Sequence, residues 1–309
     1  MQTRRPAPSP TRRQFLATGL SATALASLGF GQTGAAQAAA LSPRPFNTRV
    51  IQSGHSLTDP IVPELEVIVR GAGGKDSLGM KMDRSTIPGS PMEWRWNNRP
   101  DGMPDARYDI ADYEVLVLTE RVPLSNTMPY HNSEEYALKY FTNAWTKGNG
   151  GKGAETVLYA SWVEVDSGPG APNPDKDPER EIPFRKRLDL ELVGWEKILT
   201  SVNDNRPAGS TAMTMIPGTL VMAALYDALQ QGTVPGISRI ESVFSDTIHI
   251  NRIGAYMIAL AHYAVIYRRD PRALPARLGT DAAGSQATVD WMAAVVWDVV
   301  SRYKFSGLV

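Results

Sequence analysis

Residues Tyr113 to Glu120 read YEVLVLTE, and the apolar run at the centre of this segment does not alternate with polar residues. A strand with one wet face alternates, whereas a run of this kind is buried on both faces, as in a parallel sheet covered by helices. The flanking segments fit the same architecture. Phe46 to Gln52 reads as a strand, MKMDRSTIPG as a second ending at Gly89, ETVLYASWVEV as a fourth and TAMTMIPG as a fifth. Between them lie helical patterns: IVPELEVIVRGAGG, with Asp59 as cap and Pro60 in the first turn, and SEEYALKYFTNAWTKGNGGKG, with apolar residues at helical spacing and a glycine-rich stop. SPMEWRWNN forms a short aromatic helix or loop. Further helices are expected over Phe184 to Val202, TLVMAALYDALQQG, Arg252 to Arg268 and Gln286 to Tyr303. Asp166 to Pro183, rich in Pro, Gly and Asp, is too polar for a core and predicts a surface excursion. Strands alternating with helices of this length predict a three-layer α/β/α sandwich with a mostly parallel central sheet.

The first forty residues stand apart from this pattern. TRRQFLATG places Arg12 and Arg13 directly ahead of Phe15 and Leu16, and a mild run of Ala, Leu, Gly and Ser follows, ending in AAQAAALSP. This is the layout of a twin-arginine export signal, with cleavage expected near Ala38 to Ala40. Residues 41–309 then form a single α/β domain, periplasmic or secreted, and the expected partners are the twin-arginine export machinery and a signal peptidase. The segment carries four arginines and no acid, which leaves 28 basic groups against 32 acidic ones in the remainder. Such a balance does not describe a nucleic-acid binder. No other stretch is long and apolar enough to anchor the chain in a membrane. The chain has no cysteine, so stability must come from burial, and thiol catalysis and cysteine metal sites are excluded. With no His-x-x-x-His, no calcium loop and no Walker lysine-serine ending, no metal or cofactor is implied.

In an open α/β sheet the ligand lies at the carboxyl ends of the strands. Four segments reach that edge: Gly54-His55-Ser56 after the first strand, Gly89 after the second, Thr119-Glu120 after the third, and Asp246-Thr-Ile-His249 late in the chain. A serine between a strand and a helix has its hydroxyl at the sheet edge, where backbone N–H groups face a developing oxyanion. It needs a base, and the chain has only His55, His131, His249 and His262. His249 has Asp246 three residues before it, close enough to orient its ring; His262 lies in an apolar helix and His131 in a polar loop. Each fragment alone describes an ordinary turn, and the chemistry rests on their joint arrival at one edge.

This combination resembles the SGNH, or GDSL-like, hydrolase family. SGHSLTD stands for the block that carries that family's nucleophile, IPGSPMEWRWN for its second block, and SDTIHINRIGAYMIALAHYAVI for its late Asp-x-x-His followed by a helix. The resemblance implies a flavodoxin-like fold, Ser56 as nucleophile, His249 as base, Asp246 as its orienting acid, and an oxyanion hole from Ser56 and Gly89. Two departures stand out. His55 occupies the family's usual Asp position, and VLVLTERVPL lacks the Gly-x-Asn of the third block, leaving Thr119 and Glu120 there. A carboxylate cannot donate to an oxyanion, so the third donor is unassigned, and Glu120 either lines the site or is a partnered carboxylate beneath it. His55, Thr119, Glu120 and Trp162 are the remaining candidates for lining the site, and Trp94, Trp96 and Trp162 are candidates for a sugar-stacking cluster, with core packing expected for at least two of them. The expected activity is ester hydrolysis, with a small acyl group, such as acetyl, on a small molecule or glycan as substrate. An O-acyltransferase using the same residues, and a catalytically silent carbohydrate-binding protein, are the alternatives.

Overall fold

The computed structural model describes residues 41–275 and 277–309. The export segment expected over residues 1–40 lies outside the described residues.

Five strands form the sheet: β1 (Arg49–Gly54), β2 (Lys81–Thr86), β3 (Val115–Leu118), β4 (Glu155–Tyr159) and β5 (Thr214–Ile216). Their order is β2-β1-β3-β4-β5 and every neighbouring pair is parallel. The run that predicted a doubly covered strand is the central one: Val115 to Leu118 are all buried, as are Val50 and Ile51 beside them. Helices cover both faces. α1 (Ile61–Gly71) packs with α6 (Arg252–Tyr267), which packs with α8 (Gln286–Arg302). α3 (Ser133–Gly151) packs with α4 (Phe184–Asn205), and α4 with α5 (Gly218–Gln230). The result is the three-layer α/β/α sandwich that the alternation of strands and helices predicts, with a wholly parallel sheet. α2 (Met92–Asn97) and α7 (Arg277–Ala283) complete the set, the latter unanticipated.

α6 shows why the sequence builds this core. Its residues from Gly254 to Tyr267 are all buried, in keeping with an apolar surface on every side. Asn251 starts it, its side chain accepting from the N–H groups of Ile253 (2.9 Å) and Gly254 (3.3 Å). His262 sits inside this helix, accepting no solvent contact; its Nδ1 bonds the Ile258 carbonyl and its ring meets Tyr159 edge-on. Two local expectations are corrected. β1 begins at Arg49 because Phe46 packs instead on Tyr263 and Tyr267. Asp59 does not cap α1 but accepts from Thr86 Oγ1 (2.7 Å) and Arg84 (3.3 Å), tying the β1–α1 turn to the end of β2.

Strand order reverses between β1 and β3, whose connections leave toward opposite sides of the sheet. The crevice at the carboxyl ends of those two strands is where open α/β sheets receive ligands. Among the described residues no helix is long and apolar enough to cross a membrane.

Candidate active site

Ser56 lies in a tight turn that leaves β1, closed by the Thr58 N–H donating to the His55 carbonyl at 2.8 Å. The turn needs a glycine before it: a Cβ on Gly54 would lie 2.0 Å from Thr58 Oγ1 and 3.2 Å from Thr119 Cγ2. At the far end of the chain, residues 246–249 form a small closed loop ahead of α6. An antiparallel bridge between Phe244 and Ile250 closes its base, and the Ser245 N–H donates to the His249 carbonyl at 2.8 Å. Asp246 Oδ1 accepts from the N–H groups of Ile248 (2.8 Å) and His249 (2.7 Å), so the carboxylate is fixed before it meets the imidazole.

These two turns meet. Ser56 Oγ lies 2.9 Å from His249 Nε2, and His249 Nδ1 lies 2.7 Å from Asp246 Oδ2. With Nδ1–H donating to the carboxylate, Nε2 carries the lone pair that accepts from the serine hydroxyl. Burial works against the Asp246 charge, but the two N–H groups and the imidazole outweigh it and hold the carboxyl below its usual range. The set stays accessible: Ser56 is half-buried, and 41% of the His249 side chain is exposed. Such a chain of hydrogen bonds can draw the proton from a serine as its oxygen attacks a carbonyl carbon.

Gly89 stands in the turn after β2, which is tied to β1 by the Ile87 N–H donating to the Gly54 carbonyl at 3.1 Å. Its φ of +63° lies in the left-handed region, and a Cβ there would meet nothing within 4 Å, so backbone conformation rather than space calls for glycine. Among the described residues neither the Ser56 nor the Gly89 N–H has a hydrogen-bond partner, so both can meet a ligand oxygen.

The other four candidates lie beneath the site rather than along its surface. His55 is buried; its Nε2–H donates to the Glu120 carbonyl at 2.9 Å and its Nδ1 faces the Leu57 N–H at 3.4 Å. Burial, aided by the nearby Arg95 charge, pushes its pKa down to about 3, so the ring stays neutral. Thr119 Oγ1 donates to the Tyr159 carbonyl at 2.7 Å. Glu120 is wholly buried, and its Oε1 accepts from the N–H groups of Met92 (2.8 Å) and Arg121 (2.7 Å). Trp162 is also wholly buried, its indole N–H donating to the Ile248 carbonyl at 2.8 Å. The stacking cluster is therefore not formed: Trp162 supports the histidine loop from below, Trp96 packs edge-on against Tyr140, and only Trp94 is exposed. His131 pairs with Glu93 at 3.1 Å.

One residue at this edge escaped the sequence. Arg95, on α2, is buried and reaches the Ser90 and Thr119 carbonyls and Ser53 Oγ (3.3 Å). The available signal was a lone arginine between two tryptophans just after the Gly89 turn. Among the described residues no group of three or more His, Asp or Glu side chains is placed to hold a metal ion.

The fold and this geometry define a three-layer α/β/α protein with a linked serine, histidine and aspartate at the carboxyl edge of its sheet. No protein-family model matches the chain, and no curated protein matches it. Among solved structures it is similar to a DUF4886 family protein from Bacteroides uniformis, with a TM-score of 0.55 at 15% identity, over 82% of this chain and 95% of that one. A candidate GDSL-like lipase from Parabacteroides merdae matches with a TM-score of 0.43 at 13% identity, over 77% of this chain and 96% of that one. The first likeness is one of fold alone, and the second is too distant to carry an argument.

Proposed function

We propose that this chain is an exported serine esterase. Ser56 Oγ attacks an ester carbonyl while His249 Nε2 takes its proton, and the N–H groups of Ser56 and Gly89 receive the developing oxyanion. His249 returns the proton to the departing alcohol, and a water molecule, deprotonated by the same ring, releases the acyl group from Ser56. The observation that carries this reading is the unbroken chain from Ser56 through His249 to Asp246, at 2.9 and 2.7 Å, assembled from segments 193 residues apart. A small acyl group on a carbohydrate is the substrate class the GDSL-like resemblance favours, and export rests on Arg12 and Arg13 ahead of their apolar run.

Hydrolysis of 4-nitrophenyl acetate by residues 41–309 tests the chemistry. Ser56→Ala is expected to lower kcat by at least about 10⁴-fold. Equal rates in both proteins would overturn the assignment of Ser56, and no hydrolysis of aryl or sugar acetates by the unsubstituted protein would overturn the esterase reading. For export, replacing Arg12 and Arg13 together by lysine is expected to leave the precursor inside the cell on fractionation.

A further inference from the structure

We infer that Arg95 and Glu120 are positioning residues that hold the Gly89 turn against the Ser56 turn, in place of a third oxyanion donor. The inference rests on the esterase reading above. Without an asparagine in the third block, the oxyanion meets two backbone N–H groups from different turns, and their mutual placement decides how well both reach it.

The two buried side chains tie those turns together. Glu120 Oε1 accepts from Met92, the first residue of α2, and from Arg121 beyond β3. Arg95 spreads its guanidinium over three segments: Nε to Ser53 Oγ on β1, one terminal nitrogen to the Ser90 carbonyl and Oγ, the other to the Thr119 carbonyl after β3. Gly89 and its turn are thus anchored from Ser90 and Met92, immediately downstream. His55 joins the Ser56 turn to the same carboxyl edge through the Glu120 carbonyl. Among the described residues no carboxylate hydrogen-bonds to Arg95, and Tyr140 and Glu120 face its charge inside the core. Glu120 Oε2 is buried with no hydrogen-bond partner among the described residues, so the anchoring contacts fall on its other oxygen. Glutamine can supply that one acceptor, whereas lysine cannot reproduce the fork of Arg95.

The test compares Glu120→Ala, Glu120→Gln and Arg95→Lys with the unsubstituted protein, using 4-nitrophenyl acetate kinetics and amide hydrogen exchange across residues 87–92. Glu120→Ala and Arg95→Lys are expected to lower kcat roughly 100-fold, the size of losing one oxyanion donor, with KM changed less than about threefold. Glu120→Gln is expected to recover to within about tenfold of the parent. Exchange across 87–92 should quicken at least about tenfold in the two damaging variants while residues 246–249 stay protected. Parental kcat in Glu120→Ala, equal loss in Glu120→Ala and Glu120→Gln, or unchanged exchange across 87–92 would each overturn the inference. If Glu120→Ala does not fold, Arg95→Lys and Glu120→Gln decide by the same criteria. If the parent hydrolyses no ester, the esterase reading fails and the exchange measurement alone decides the positioning role.

Discussion

His55 shows how much one side chain at this edge depends on its partner. In the GDSL-like pattern the position carries Asp, yet here the ring donates to a carbonyl oxygen, that of Glu120, at 2.9 Å. An aspartate would set a buried negative oxygen against another acceptor and would bring a charge into a site almost closed to water. His55→Asp is therefore expected to destabilise the protein by about 3 kcal/mol or more, read as a fall in Tm. His55→Asn keeps one N–H donor on a shorter side chain and should cost about half as much. Equal Tm values for the two variants would show that donation to Glu120 is not what the histidine supplies. The sequence made the departure visible but not its meaning, because the partner is a backbone carbonyl 65 residues away, just past the end of β3.

At the scale of elements, the loop at 246–249 is held from the β4 side of the sheet. The Trp162 indole donates to the Ile248 carbonyl, and the Val165 N–H donates to the Thr247 carbonyl at 2.7 Å. Trp162→Phe removes the first of these while filling most of the same volume. On the esterase reading it is expected to lower kcat about 10- to 100-fold with Ser56 and Asp246 untouched, because His249 loses its fixed position. An unchanged kcat would place the control of that loop in Asp246 and its own N–H contacts. Strand and helix types were legible because burial on both faces leaves continuous apolar runs, and the four segments at the sheet edge followed from them. The direction of Trp162 was not legible: an aromatic residue two or three positions past a strand can turn up toward ligand or down toward the core. Arg95 was hidden for a related reason, since a short helix of six residues offers too little periodicity to separate its buried face from its wet one.

For the whole molecule, three buried titratable groups set opposing pH limits. Burial pushes His55 down to about 3 and His262 down to about 4, so both stay neutral in the fold. The unfolded chain protonates each near pH 6.5, and stability is lost as pH falls below that value. Burial pushes Glu191 up to about 8, against the pull of the Leu124 N–H and Arg187. Its unfolded carboxyl ionises near 4.5, so its contribution is lost as pH rises from there toward 8. Two gains oppose one loss below 6.5, and only the loss remains above it. These groups place their stability maximum near pH 6.5, with limbs of about 1 kcal/mol per pH unit. Glu191→Gln should flatten the Tm profile between pH 6.5 and 8 and steepen the acid limb between 4.5 and 6.5, where its loss no longer opposes the two histidine gains; a parallel fall in both proteins above pH 6.5 would remove Glu191 as the cause. The separation of Ser56 from His249 by 193 residues also sets an order in time. As the chain leaves the ribosome, the complete sheet and the serine turn are made before the histidine loop exists. Every shorter nascent chain carries the Ser56 hydroxyl without the imidazole it pairs with, so the proposed ester cleavage could begin only after the last third of the protein has been synthesised and packed.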